Sequence, residues 1–402
     1  MEKFEQYENV LKKQMIEISN KLYENPELSG EEYRSKEEIE TFLKQYGFQI
    51  EDIHLPELET AFIGKFDSKK PGPTIAYLAE YDALPSIGHG CGHNLIAMVS
   101  SGAAILLSRT IKNIGGKALL IGTPAEETYG GKIPMIKEGV FDYVDVAIMS
   151  HPGPENKVSG KSLAYHSIDL SFQGKVAHAS ADPEKGVNAL SAMMLTFMGI
   201  NTMREHFTDD VRVHGIITEG GFAANIVPDV LRGSFYVRAQ KRCTADEAKE
   251  KFYGIVKGAE MMTGAKAQLG SSEYSFYDMN TNSVLSELCT ESMEEAGIIN
   301  INKEAKMVGS IDMGNVSYVV PSIHPFFDIT NGKEMAQHSK EFAEATCTEY
   351  AHEQMYKMAL ALAKTGLKIL LDPSKLLSIK KEFYNQRITE AIENQIKSPD
   401  LE

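Results

Sequence analysis

A chain of 402 residues is longer than one hydrophobic core comfortably organises, so two domains are the starting expectation. With 43% hydrophobic and 24% charged residues it has the composition of an ordinary globular protein, which excludes a disordered or collagen-like chain. Its 41 basic and 56 acidic side chains leave a formal charge of −15, which opposes binding to nucleic acid or to an anionic membrane surface.

In chain order, Leu11, Ile18 and Leu22 lie at helical spacing, and the pattern stops at Asn25-Pro26. No uninterrupted apolar stretch marks a signal peptide in the first twenty residues, and no run approaches the ~20 residues of a membrane span. A second helix follows Ser29-Gly30 and ends at Gly47. Strands are expected at 61–66 and 74–79, the latter apolar enough to be buried on both faces. A helix over 95–107, a strand at 118–121, a short helical stretch and a strand at 144–149 follow. Strands alternating with helices predict an α/β fold built on a largely parallel sheet.

The middle of the chain changes rhythm. Strand 167–172, helix 186–207, strands 211–218 and 230–239, helix 245–262 and strand 265–269 give the order β-α-β-β-α-β, a ferredoxin-like arrangement. The expected organisation is therefore an α/β domain in two parts, 1–164 and 279–402, interrupted by an inserted α+β domain over 165–278. The last part carries a long helical periodicity over 341–371. Four cysteines (Cys91, Cys243, Cys289 and Cys347) form no disulfide framework, and reduced thiols point to a cytoplasmic protein.

Three consecutive strands run into residues that can bind metal. After 74–79 comes Glu80-Tyr81-Asp82-Ala83-Leu84-Pro85, then His89-Gly90-Cys91-Gly92-His93-Asn94, which packs acids, a thiol and imidazoles into a turn-rich loop. After 118–121 comes Pro124-Ala125-Glu126-Glu127, where one carboxylate can hold a metal while its neighbour takes a proton from water. The strand at 144–149 runs into Ser150-His151. Each feature alone has an ordinary reading: a glycine-rich loop with a free cysteine, a pair of solvated acids, a strand-capping histidine. Their recurrence at three strand ends, where open α/β sheets bind ligands, favours metal. His338, just before the C-terminal helical stretch, is the natural distal ligand. A P-loop and a serine nucleophile elbow both fail near Gly160-Lys161-Ser162, for want of the first and the last glycine respectively.

These motifs, with Val176-Ala177-His178-Ala179-Ser180 and Gly309-Ser310-Ile311-Asp312-Met313-Gly314, resemble the M20 metallopeptidase and amidohydrolase family across nearly the whole chain. Within it they look like subfamily D and its aminobenzoyl-glutamate hydrolase branch. The resemblance implies a two-metal site in which Cys91 bridges, His93 and His151 complete one ion, and Glu127 and His338 complete the other. Asp82 would orient a ligand from behind, and Glu126 would be the general base. The wider family places a metal-binding histidine where this chain has Glu80, and many relatives carry aspartate at Asn94. His178 is expected to stabilise the oxyanion across a dimer interface, and Asn225 and Arg238 to grip the substrate carboxylate. The implied cofactors are two divalent ions, zinc by the softness of the thiolate, with manganese as the alternative. The implied function is hydrolysis of the amide bond of an N-acyl amino acid or dipeptide-like substrate by a homodimer. A dipeptidase of the same fold, or a catalytically silent metal-binding scaffold, are the alternatives.

Overall fold

The computed structural model describes residues 2–304 and 307–397. Its chain divides into two compact units: Met1–Lys161 with Met279–Val308 and Asp312–Glu402, and Ser162–Asp278 with Gly309–Ile311.

The first unit opens with helices α1 (Glu2–Glu24) and α2 (Tyr33–Gln45), then strands β1 (Gln49–Asp52), β2 (Phe62–Asp67) and β3 (Thr74–Ala79). Next come α3 (His93–Ile114), β4 (Lys117–Gly122), α4 (Lys132–Lys137), β5 (Val146–Ile148), β6 (His151–Gly153) and the two-residue β7 (Lys161–Ser162). The second unit runs β8 (Ala164–Gln173), α5 (Ala189–Met203), β9 (Arg212–Glu219), β10 (Val230–Ala239), α6 (Arg242–Thr263) and β11 (Lys266–Gly270). The chain returns to the first unit with α7 (Ser283–Glu295), β12 (Met307–Val308), α8 (Met313–Val316), β13 (Ser322–Ile323) and β14 (Phe326–Asp328). It finishes with α9 (Lys340–Ala345), α10 (Glu349–Leu371) and α11 (Pro373–Lys397).

The main sheet has the order β1-β2-β4-β3-β5-β13. Its β4-β3-β5-β13 part is parallel, whereas β1 and β2 join antiparallel at one edge. The short, polar β1 (Gln49-Ile50-Glu51-Asp52) has no apolar alternation to betray it and forms only because β2 offers it an edge. Every residue of β3 is buried, as a strand in the middle of a covered sheet requires. Because β4, β3 and β5 are adjacent and parallel, their carboxyl ends open on the same edge of the sheet, which is why three separate sequence motifs converge.

Helix α3 packs on β3 and β4 and against α10, within a core that includes Leu95, Met98, Leu120, Ile148, Met355 and Leu362. Among the described residues α3 is the one helix long and apolar enough to cross a membrane, and 83% of its most apolar window is buried inside the protein. The single helical stretch expected over 341–371 is two helices. Thr346 and Thr348 interrupt it, and the Thr348 side chain accepts from the Ala351 N–H to cap α10.

In the second unit all strand pairs are antiparallel and the sheet order is β11-β8-β10-β9, the ferredoxin-like topology. It has its own core, with Phe172, Met193, Phe235 and Phe252 at its centre. Asn188 caps α5 by accepting from the Ser191 N–H, so the helix begins at Ala189, three residues later than the periodicity suggests.

Candidate metal centre

The centre is built at the open ends of β3, β4 and β5. Past β3 the chain turns through residues 83–92 and enters α3 directly at His93. Gly92 makes that entry in the left-handed region (φ +76°), and a Cβ there would lie 2.5 Å from Cγ of Pro152, beside His151. Past β4, Ala125 also adopts positive φ (+60°), a strained choice for a residue with a side chain. Its conformation is held from both sides. Its N–H donates to Glu32 Oε1 at 2.9 Å, and its carbonyl accepts from Gly130 and Gly131 at 3.1 and 3.2 Å. Glu126 and Glu127 follow immediately. His338 is again at positive φ (+63°), and its N–H donates to the Gly90 carbonyl at 3.0 Å, tying its loop to the one that carries Cys91.

Donor atoms of Cys91, His93 and His151 lie within 4.8 Å of one another, and so do those of Cys91, Glu127 and His338. Two ligand sets thus share one thiol. His93, Glu126 and Glu127 form a third such group, which puts Glu126 beside both sets without belonging to either.

The hydrogen bonds around the histidines leave the correct nitrogens free. His93 Nδ1 donates to Asp82, with the backbone oxygen at 2.9 Å and Oδ1 at 3.0 Å, which leaves Nε2 as the ring nitrogen available to the cluster. His151 Nδ1 donates to the Pro152 carbonyl at 2.7 Å, with the same consequence. Asp82 is shared: its Oδ2 accepts from Ser29 Oγ at 2.7 Å and from the Glu127 N–H at 3.0 Å, so one buried carboxylate braces ligands from two strands. His93 Nε2 and Glu127 Oε1 are buried without a hydrogen-bond partner. Such orphaned polar atoms are costly unless something else satisfies them.

The electrostatics suit a cation at this position. Burial, with the neighbouring His324 and His93, holds His151 well below the usual histidine range, so it is a neutral imidazole ready to ligate. Burial pushes the Cys91 thiol well above its ordinary value, and a thiolate in that position calls for a bound cation. Burial and the Glu80, Asp312 and Glu127 carboxylates raise Glu126 well above the ordinary carboxylate range. The residues fit a pair of soft-to-borderline divalent ions: the sulfur of Cys91, the imidazoles of His93 and His151, the Glu127 carboxylate and the distal His338.

Several contributors carry no motif. Lys132, fully buried at the start of α4, places Nζ 2.5 Å from Glu80 Oε1 and 2.6 Å from Asp312 Oδ1. Glu32, also fully buried, braces Ala125 as described. His324 lies with its ring centroid 5.7 Å from that of His151, and its Nδ1 is buried and unpartnered. A lone lysine in Lys132-Ile133-Pro134-Met135 reads as surface, and Glu32 reads as one of many helix-start acids. Only the fold buries them.

His178, Asn225 and Arg238 belong to the second unit. His178 is exposed, and its Nδ1 accepts from the Ser180 and Ala181 N–H groups at 3.3 and 3.2 Å, which leaves Nε2 to carry the ring proton. The Ala179 N–H donates to the Asn225 carbonyl at 3.0 Å, which brings the His178 and Asn225 segments together. Arg238 is stacked over Tyr165 and Tyr236, with its guanidinium carbon 5.0 and 5.2 Å from the ring centroids, and Nη1 donates to Ser310 Oγ at 2.9 Å.

Residues 162–260 match the model of the M20 peptidase dimerisation domain. The chain is 35% identical to the Xaa-Arg dipeptidase of Mus musculus over 380 residues, covering 91% of this chain and 88% of the relative. It is 32% identical over 268 residues to a p-aminobenzoyl-glutamate hydrolase polypeptide of Escherichia coli, covering 61% of this chain and 55% of that one. Among solved structures, a dinuclear metal binding peptidase of the M20 family from Bacillus subtilis shares the fold at a TM-score of 0.65 and 20% identity, covering 88% of this chain and 98% of its own. Full-length likeness at this level of identity, together with two ligand sets sharing one buried thiol, leads to one conclusion: the chain belongs to the M20 family of metallopeptidases and amidohydrolases, and it is a metal-dependent hydrolase.

Proposed function

We propose that this protein hydrolyses the amide bond of dipeptides or N-acyl amino acids at a two-metal centre, with Glu126 as the general base. The observation that carries the reading is the pair of donor sets meeting at Cys91 with Glu126 alongside. Cys91 would be shared by both ions, with His93 and His151 completing the set for one and Glu127 and His338 the set for the other. When bound, two divalent ions supply acidification of the attacking water and polarisation of the scissile carbonyl. Zinc suits a thiolate bridge, with manganese as the alternative.

The protein's own groups do the rest. Asp82 fixes the tautomer and orientation of His93 and, through the Glu127 N–H, the start of the second ligand. Glu126, with its raised proton affinity, takes the proton of the attacking water and passes it to the departing amine. His178 presents Nε2–H as a donor suited to an oxyanion, and Arg238 a planar fork suited to a carboxylate. The likeness to a Xaa-Arg dipeptidase makes dipeptides with a basic C-terminal residue the first substrates to screen.

We place the protein in the cytoplasm, because none of its four cysteines is joined in a disulfide. We further assign the second unit to homodimer formation. Its edge strand β9 and the loop beyond expose Ile216 and Phe222 at 64% and 96%, an unusual display of apolar surface.

Glu126→Gln tests the central claim. It should retain both metal equivalents by elemental analysis while kcat falls at least a hundredfold, because proton transfer is lost and ligation is not. Near-normal kcat in this variant refutes Glu126 as the base.

A further inference from the structure

Glu80 stands at the mouth of β3 and is 2% exposed. Its two oxygens face opposite ways chemically. Oε1 is 2.5 Å from Lys132 Nζ, while Oε2 is 3.5 Å from His93 Nε2, the nitrogen that faces the metal cluster. Carboxylate oxygens of Glu80, Glu126 and Asp312 lie within 4.8 Å of one another, so three acids crowd one pocket. Among the described residues, the lysine that pairs with them is Lys132, whose ammonium also meets Asp312 Oδ1 at 2.6 Å and whose backbone N–H donates to Asp312 Oδ2 at 3.1 Å. Lys132 is fully buried and makes its bonds across three segments: the end of β3, the start of α4 and the turn into α8.

We propose that Lys132 is a positioning residue that withholds Glu80 from the metal centre by pairing with its carboxylate, which leaves Glu126 as the carboxylate that moves protons there. This rests on the two-metal reading above. The physical case is one of competition. An anionic carboxylate beside His93 Nε2 is a hard, available ligand for any divalent ion held there. A fixed ammonium on its other oxygen offers a charge-assisted bond in a site shielded from water, where such bonds are strongest. Burial alone would lower the proton affinity of Lys132, but Asp312, Glu80 and Glu126 together raise it, so the ammonium stays charged. The same cation balances Asp312, which would otherwise repel the Glu126 carboxylate it lies beside.

Lys132→Met keeps an unbranched side chain, shorter by the terminal nitrogen, and removes the charge. Freed Glu80 should then enter the ligand set. Cobalt-substituted Lys132→Met should show an altered visible absorption spectrum, and in the zinc form kcat should drop at least tenfold with KM within about threefold. The double variant Lys132→Met/Glu80→Gln removes the competitor together with its restraint, and it loses one positive and one negative charge, so it stays closer to balance if the single variant misfolds. It should return the cobalt spectrum of the wild type and recover most of kcat. A double variant as slow as Lys132→Met, or a Lys132→Met protein with an unchanged cobalt spectrum, overturns the inference. A wild-type protein that holds two metals yet cleaves no amide refutes the hydrolase reading instead, and the cobalt spectra still report on Lys132.

Discussion

Glu32→Gln probes the scaffold of the site without touching a proposed ligand. Glu32 is 0% exposed; Oε1 accepts from the Gly30 and Ala125 N–H groups, both at 2.9 Å, and Oε2 accepts from Thr60 Oγ1 at 2.7 Å. Burial first, and the nearby Asp82 charge second, push this carboxyl from 4.5 up to about 7, against the lowering effect of hydrogen bonds from Thr60 and from the backbone of Gly30 and of Glu32 itself. An acid whose folded value lies above its unfolded value holds its proton more tightly in the folded state. Its contribution therefore turns against folding as pH rises from the unfolded value through the folded one. With 4.5 and about 7, the penalty is about 1 kcal/mol at pH 5.5 and about 3 kcal/mol at pH 8. Glutamine mimics the protonated acid, keeps the two backbone acceptor bonds, and cannot ionise. The variant should therefore gain about 2 kcal/mol on the wild type between pH 5.5 and 8. Urea unfolding of both proteins across that range, under identical metal conditions, measures the difference directly. A stability difference that stays flat from pH 5.5 to 8 refutes the reasoning, because it would mean that Glu32 does not titrate in that window.

Two further outcomes follow from the shared thiol and from the second unit. Cys91→Ser should weaken both metal equivalents together, since a hydroxyl ligates far more poorly than a thiolate; elemental analysis after dialysis that shows loss of a single equivalent would make Cys91 a terminal ligand. If His178 serves the neighbouring protomer's site, then mixing inactive Glu126→Gln with inactive His178→Ala under protomer exchange should restore activity to about half that of the wild-type dimer in each hybrid. Background activity despite demonstrated exchange would confine His178 to its own chain or to no role.

The sequence by itself determined the fold class, the alternation of the second unit and the location of the metal-binding motifs. Each of these is encoded locally. Thr74–Ala79 is apolar throughout because a central strand is buried on both faces, and Cys91 and His93 sit two apart in a glycine-rich loop because ligation needs that tight path. Spacing and resemblance together nominated Cys91, His93, Glu127, His151 and His338, and the folded chain brings their donor atoms together in two groups of three that share Cys91. What only the tertiary structure decided is which charges share a low-dielectric pocket. Lys132 and Asp312 are 180 residues apart, and Glu32 is 93 residues from the Ala125 N–H it holds. A lysine or glutamate looks the same in sequence whether water or a buried carboxylate surrounds it, and the strength of its interaction depends on that surrounding. Parallel packing of β4, β3 and β5 turns three separated strand ends into one site, and that packing buries the charges that brace it.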